Sequence, residues 1–170
     1  MRRIASRVEY APTVLYRLFA SKNDLMDHLI ARGYGGVRAD YEQVLARQDQ
    51  SPLQVLAGIL KVYAAYALDH PNHYLMWFET SRLHVENGRL MMTHGRLKFV
   101  VFQVWLDCIE ACQREGHFAG LDQQEAFQVL WARMHGLISL RLHYPEFPWL
   151  PVEKHLDEVF DLARTTLNQG

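Results

Sequence analysis

The stretch Tyr10-Ala-Pro-Thr-Val-Leu-Tyr-Arg-Leu-Phe-Ala-Ser-Lys-Asn-Asp-Leu25 decides how the rest of the chain is read. Within it Leu15, Tyr16 and Phe19 recur at the spacing of one face of a short helix. Pro12 suits the first helical position, where its missing N–H costs nothing. Ser21 is placed to cap a following helix whose apolar face is Leu25, Met26, Leu29 and Ile30. Upstream, Ile4, Ala5 and Val8 predict one more short helix, closed by a tight connection at Glu9 to Ala11. Short helix, tight turn and short helix together outline a helix-turn-helix.

Beyond Ile30 the signals remain helical, and no period-2 strand stands out. One helix is expected to run from Ser21 to about Arg47, although Gly33, Gly35 and Gly36 interrupt it at a cost of ~1 kcal/mol each relative to alanine. Those glycines fit either close packing of a neighbouring helix or a pliable joint. Ser51, Pro52 and Gln54 make a capping box for a helix from Leu53 to about Asp69, which Pro71 ends or breaks. Asn72 to Val85 carries the apolar patch Tyr74-Leu-Met-Trp-Phe78, and Asn87-Gly88 marks a turn. A helix is predicted from about Arg89 to Glu115, apolar over most of its circumference and therefore buried on several sides. Asp122 and Glu125 form a second capping box for a helix from Gln123 to about His143. After the proline-rich loop Tyr144 to Pro151, a last helix is expected from Val152 to about Leu167. Eight helices with short connections predict an all-α bundle.

Composition narrows the functions open to such a chain. Its 170 residues are 49% hydrophobic and 22% charged, ordinary for a globular protein that buries a sizeable core. No apolar run is long enough to span a membrane, and the N-terminus has no apolar signal region, so a cytoplasmic location is expected. The formal net charge is −1, yet residues 1–22 hold Arg2, Arg3, Arg7, Arg17 and Lys22 against Glu9 alone. That end carries +4 and the remainder −5. A basic end on an acidic body is the distribution that meets phosphates, or else a solvated basic terminus.

Two parts of the chain resemble known proteins. Met1-Arg-Arg-Ile-Ala-Ser-Arg7, Leu15-Tyr16, Phe19, Ser21-Lys22 and Leu25 resemble the second to fourth helices of TetR-family transcriptional regulators. Glu9 stands where that family has a turn glycine, and Ala20 stands where it has proline. The family's first helix would lie upstream of Met1. Ala67-Leu-Asp-His-Pro71, Tyr74-Leu-Met76, Trp131 and His135-Gly136 resemble the TetR C-terminal subfamily named for a Trp-His-Gly motif. The resemblance implies a TetR-like helical bundle in two parts. Residues 1–30 would be a partial helix-turn-helix lacking its first helix, and residues 31–170 a domain for effector binding and dimerisation.

It also implies roles. Thr13 and Arg17 would face DNA bases, Tyr16 would donate to a phosphate, and Lys22 would add charge at a helix start. Residues 123–143 and 152–167 would pair with their copies in a homodimer. An apolar small-molecule effector would sit among Trp77, Phe78, Phe102, Trp105, Trp131 and Met134, with Tyr63, Tyr66 and His135 as polar handles. Each of those residues taken singly is equally a core residue. The expected function is a transcriptional regulator, in the usual family sense a repressor, that binds operator DNA under effector control. The alternative is a helical dimeric ligand-binding module that does not bind DNA, because the first helix is absent.

Other chemistry finds little support in the residues. Cys108 and Cys112 lie one helical turn apart, which suits two buried thiols better than a disulfide or a metal. His70-Pro-Asn-His73 straddles a proline break, and neither these nor His84 and His94 have the spacing of a zinc site. Neither a phosphate loop, a nucleophile elbow nor a carboxylate pair is apparent. No cofactor, metal or enzymatic activity is expected.

Overall fold

The computed structural model describes residues 1–79, 83–86, 89–92 and 96–165 of the chain. In chain order its elements are α1 (Arg2–Arg7), α2 (Pro12–Leu18), α3 (Lys22–Leu45), α4 (Pro52–Asp69), α5 (Pro71–Glu79), β1 (Leu83–Glu86), β2 (Arg89–Met92), α6 (Arg96–Arg114), α7 (Gln123–His143) and α8 (Val152–Thr165). It is an all-α bundle with one small strand pair attached.

Helix α4 is the hub, packing against α3, α5, α6, α7 and α8. The reason lies in its sequence: Leu53, Leu56, Ile59, Leu60, Tyr63, Ala64 and Ala67 form one buried stripe, and the half-buried Val55, Ala57, Val62, Tyr66 and Leu68 extend the apolar surface to either side of it. Its start has the expected capping box, with Ser51 Oγ accepting from the Gln54 amide and the Gln54 side chain accepting from the Ser51 amide. Pro71 does not merely interrupt this helix. It opens α5, so the chain turns between Asp69 and Pro71 and lays α5 back on α3 and α4.

Helix α3 runs unbroken through Gly33, Gly35 and Gly36, so the expected boundary between residues 30 and 31 falls inside a helix. A Cβ at Gly35 would meet nothing within 4 Å, and one at Gly36 would make an ordinary contact with Tyr66 at 3.5 Å. Close packing is required elsewhere, at Gly58, whose added Cβ would come within 2.8 Å of Val44 Cγ1. That is where α3 and α4 touch.

The strand pair corrects the sequence reading. Leu83–Glu86 and Arg89–Met92 pair antiparallel, Leu83 opposite Met92 and Glu86 opposite Arg89. Consequently the helix expected over 72–85 ends at Glu79, and the one expected from Arg89 begins at Arg96. Four-residue strands are too short for alternation to stand out. The turn expected at Asn87-Gly88 lies outside the described residues.

Candidate functional site

The N-terminal end is built by local devices. Helix α1 stops at Val8, and the Tyr10 amide reaches back to the Ala5 carbonyl at 3.0 Å, the six-to-one bond of a left-handed helix cap. The residue in the left-handed conformation is Glu9, at φ 58. The turn that would suit glycine is thus made by glutamate. Pro12 opens α2 as expected, with Ala11 before it in an extended conformation. Ser21 caps α3 by accepting from the Asp24 amide at 3.0 Å, and the Asp24 carboxylate accepts the Ala20 amide at 2.8 Å. Proline at position 20 has no N–H to give, so Ala20 adds a bond that the family's usual residue lacks.

These devices present a polar face. Leu15 and Ala5 turn inward, while Thr13, Tyr16, Arg17 and Lys22 are all exposed. So are Arg2, Arg3 and Arg7. Tyr16 is 55% exposed, so its side chain does not pack the small helices together. Its neighbour Leu15 takes that role.

The second candidate region lies between α4, α5, α6 and α7. Phe102 meets Trp105, Phe127 and Trp131 edge-on at centroid distances of 6.0, 5.5 and 5.7 Å. Phe78 packs on His135 at 4.4 Å and on Trp131 at 6.4 Å. Tyr63 is seated against Trp105 at 5.1 Å and 87°. Such offset and edge-on contacts add to what ring burial alone contributes.

Within this group there is a floor and a rim. Tyr63, Trp105 and Met134 are at most 1% exposed, and Trp105 Nε1 donates to Tyr41 Oη at 2.9 Å, so these three belong to the core. Phe78, Phe102, Trp131 and His135 are half-buried at its edge. The Tyr66 hydroxyl bonds His73 Nδ1 at 2.9 Å, and its ring lies against His70. The Trp77 side chain lies outside the described residues.

His135 was singled out because a polar group on an apolar helix needs a partner. That partner is Tyr74, whose hydroxyl bonds His135 Nδ1. Burial pushes the tyrosine pKa up and the histidine pKa down, which keeps the phenol protonated as donor and the imidazole neutral as acceptor. Trp131 Nε1 is buried here without a hydrogen-bond partner. Burial, then the neighbouring Tyr74, Tyr41 and Tyr34, raises the Tyr63 hydroxyl well above its ordinary range.

Tyr74 and Phe127 were missed as members of this site. Each was visible in the spacing: Tyr74 and Phe78 are four apart on one helix, as are Phe127, Trp131 and His135 on another. Cys108 and Cys112 are free and buried, and desolvation pushes their thiols up to about 11 and about 12, so they stay protonated. Among the described residues no three His, Cys, Asp or Glu side chains are grouped to hold a metal ion. No helix among them is long and apolar enough to cross a membrane.

Comparison with known proteins gives this architecture a lineage. A protein of unknown function from Rhodococcus sp. RHA1 superposes with a TM-score of 0.71 at 16% identity, over 99% of this chain and 84% of that one. The candidate regulatory protein SCO4313 superposes with a TM-score of 0.59 at 19% identity, over the same shares. At such identities the likeness is one of fold. No curated protein matches the sequence. Residues 56–167 match the family model described as the tetracyclin repressor-like C-terminal domain. Since the match takes in most of the chain, from α4 to the end of α8, this protein belongs to the tetracyclin repressor-like family.

Proposed function

We propose that the chain is a homodimeric DNA-binding transcriptional regulator, a repressor in its usual sense, whose grip on operator DNA is set by an apolar small-molecule effector. One observation carries the proposal. The short helices α1 and α2 expose a face of Arg2, Arg3, Arg7, Arg17, Thr13, Tyr16 and Lys22, and α3 links that face without a break to a repressor-like domain. Thr13 and Arg17 would read base edges, while Tyr16 and Lys22 would fix the phosphates.

The effector would enter at the rim formed by Phe78, Phe102, Trp131 and His135, over the floor of Tyr63, Trp105 and Met134. The unpartnered Trp131 Nε1 favours a ligand with an acceptor oxygen, since a buried polar group without a partner is costly. We read Trp131, His135 and Gly136 on α7 as the Trp-His-Gly motif of the subfamily. For the dimer, α7 supports the reading by being apolar on both sides. Phe127, Leu130 and Met134 face the core, whereas Val129 and Leu140 are 41% and 48% exposed. An effector acts by preferring one of two spacings of the paired heads, and only that preference can move the equilibrium.

A second reading, a dimeric ligand-binding module without DNA affinity, is favoured by the apolar side chains left open at the head, Val8, Leu18 and Leu29. DNA binding over a salt series separates the two. The regulator binds DNA from its own upstream region saturably, with log affinity falling by ~0.9 per phosphate neutralised and per unit of log salt. Arg17→Ala weakens that binding while leaving the dimer intact. A chain that fails to bind at low salt is the module.

A further inference from the structure

A second recess lies away from the aromatic group and shares no residue with it. It is an open groove of about 290 Å³ where the end of α3, the connection to α4 and the middle of α6 meet. In size it holds about ten water molecules at ~30 Å³ each, near the lower end for small-molecule sites. Leu45, Val55, Val104 and Cys108 give it apolar walls, and Gln50 and Asp107 give it two oxygen-bearing side chains.

Both polar side chains ask for a donor. Gln50 Oε1 is buried without a hydrogen-bond partner, so it has lost water without gaining a replacement. The Asp107 Oδ1 atom accepts from Gln103 Nε2 at 2.8 Å, but a carboxylate can accept several more bonds. Among the described residues no cation lines the groove. An amide oxygen and a carboxylate beside apolar walls suit a ligand with a cationic donor at one end and a hydrocarbon body at the other. A carboxylate ligand would meet repulsion from Asp107, and an alcohol would leave that charge unanswered.

We propose that this groove binds a small amphiphilic amine, with its ammonium held by the Gln50 oxygen and Asp107 and its body along Leu45, Val55, Val104 and Cys108. The site does not depend on the DNA-binding proposal or on the aromatic group. Because its walls come from α3, α4 and α6, an occupant ties the end of the long helix α3 to the body.

Calorimetric titration of the full chain with octylamine, octanol and octanoate tests this, since the three share a body and differ in the head. Octylamine should bind about tenfold more tightly than octanol, with octanoate weakest. Asp107→Asn, at an exposed position, should bring the amine and the alcohol within about threefold of each other. Val104→Phe should fill the groove and abolish binding of both. Octylamine should also slow the reaction of Cys108 with a small thiol reagent in the unaltered protein, a readout that survives if Val104→Phe fails to fold. Equal binding of the three probes, or no binding, overturns the proposal. So does amine binding that Asp107→Asn leaves unchanged, or that leaves Cys108 unprotected.

Discussion

The two ends of helix α3 sit in different kinds of structure. At its start Ala5, Leu15 and Leu25 are buried, yet none of them belongs to the contiguous core. Around them Val8, Tyr10, Leu18 and Leu29 stay between 40% and 65% exposed. From Ile30 onward the same helix feeds Tyr34, Val37, Tyr41 and Val44 into a core that reaches Phe160 on α8. The body holds its shape by burial and packing, which are long-range. The head holds its shape by caps, a left-handed turn and one proline, all within a few residues of each other. One region should therefore yield to changes in volume and the other to changes in local backbone chemistry.

The largest effect expected is in the body. Trp105→Ala empties a fully buried site and leaves the Tyr41 hydroxyl without its donor, a loss of about 3–5 kcal/mol by analogy with other aromatic truncations. Urea denaturation followed by helical ellipticity should show one cooperative transition at a much lower midpoint. A variant that melts in the head first and keeps the midpoint of the body would break the comparison.

A pH effect comes next. Burial lowers the pKa of His135 below its ordinary 6.5, so as pH falls the unfolded chain takes up this proton before the folded one. The contribution is fully present above about pH 6.5 and is lost as pH drops through that value toward the depressed folded pKa. His135→Gln keeps an acceptor for Tyr74 but cannot titrate. Stability measured at pH 7 and pH 5 should therefore fall less in His135→Gln than in the parent. An equal fall would mean that the Tyr74–His135 pair does not hold the imidazole neutral.

How much of this was legible follows the same division. Both capping boxes, Pro12, Ser21 and the order of eight helices could be read because caps and periodicity are written in neighbouring residues. Glu9 was legible in a subtler way. The absence of glycine from the turn left a non-glycine residue there to take positive φ, and Glu9 does so. The strand pair was not legible, since four residues per strand give too little pattern against an apolar background. Nor was the partition of the aromatic residues. Spacing alone puts Trp105 and Trp131 on apolar faces, but only packing separates the one bonded to Tyr41 from the one at the rim. Tyr66 belonged by composition with the group and by contact with His70 and His73.

The remaining predictions concern the head and are smaller. Ser21→Ala removes the side-chain acceptor for the Asp24 amide, worth about 1 kcal/mol at a helix start. Hydrogen exchange at Asp24 and Leu25 should quicken while the urea midpoint of the body stays put. A shift of that midpoint as large as the local change would mean that head and body unfold as one unit.

Glu9→Gly should work in the opposite direction. In the left-handed conformation a side chain costs on the order of 1 kcal/mol that glycine avoids, and the extra freedom of glycine in the unfolded chain returns part of that gain. The net is a stabilisation of a few tenths of a kcal/mol, confined to the turn. Its reporters are the Val8 and Tyr10 amides, which bond to Ile4 and Ala5 across the cap at 3.1 and 3.0 Å, and their exchange should slow by about twofold. Because α1 packs on α2 and contributes nothing to the contiguous core, no gain should appear in the core amides of α4. Faster exchange at Tyr10 would mean that the Glu9 side chain supports the turn it occupies, and that the head depends on more than its backbone devices.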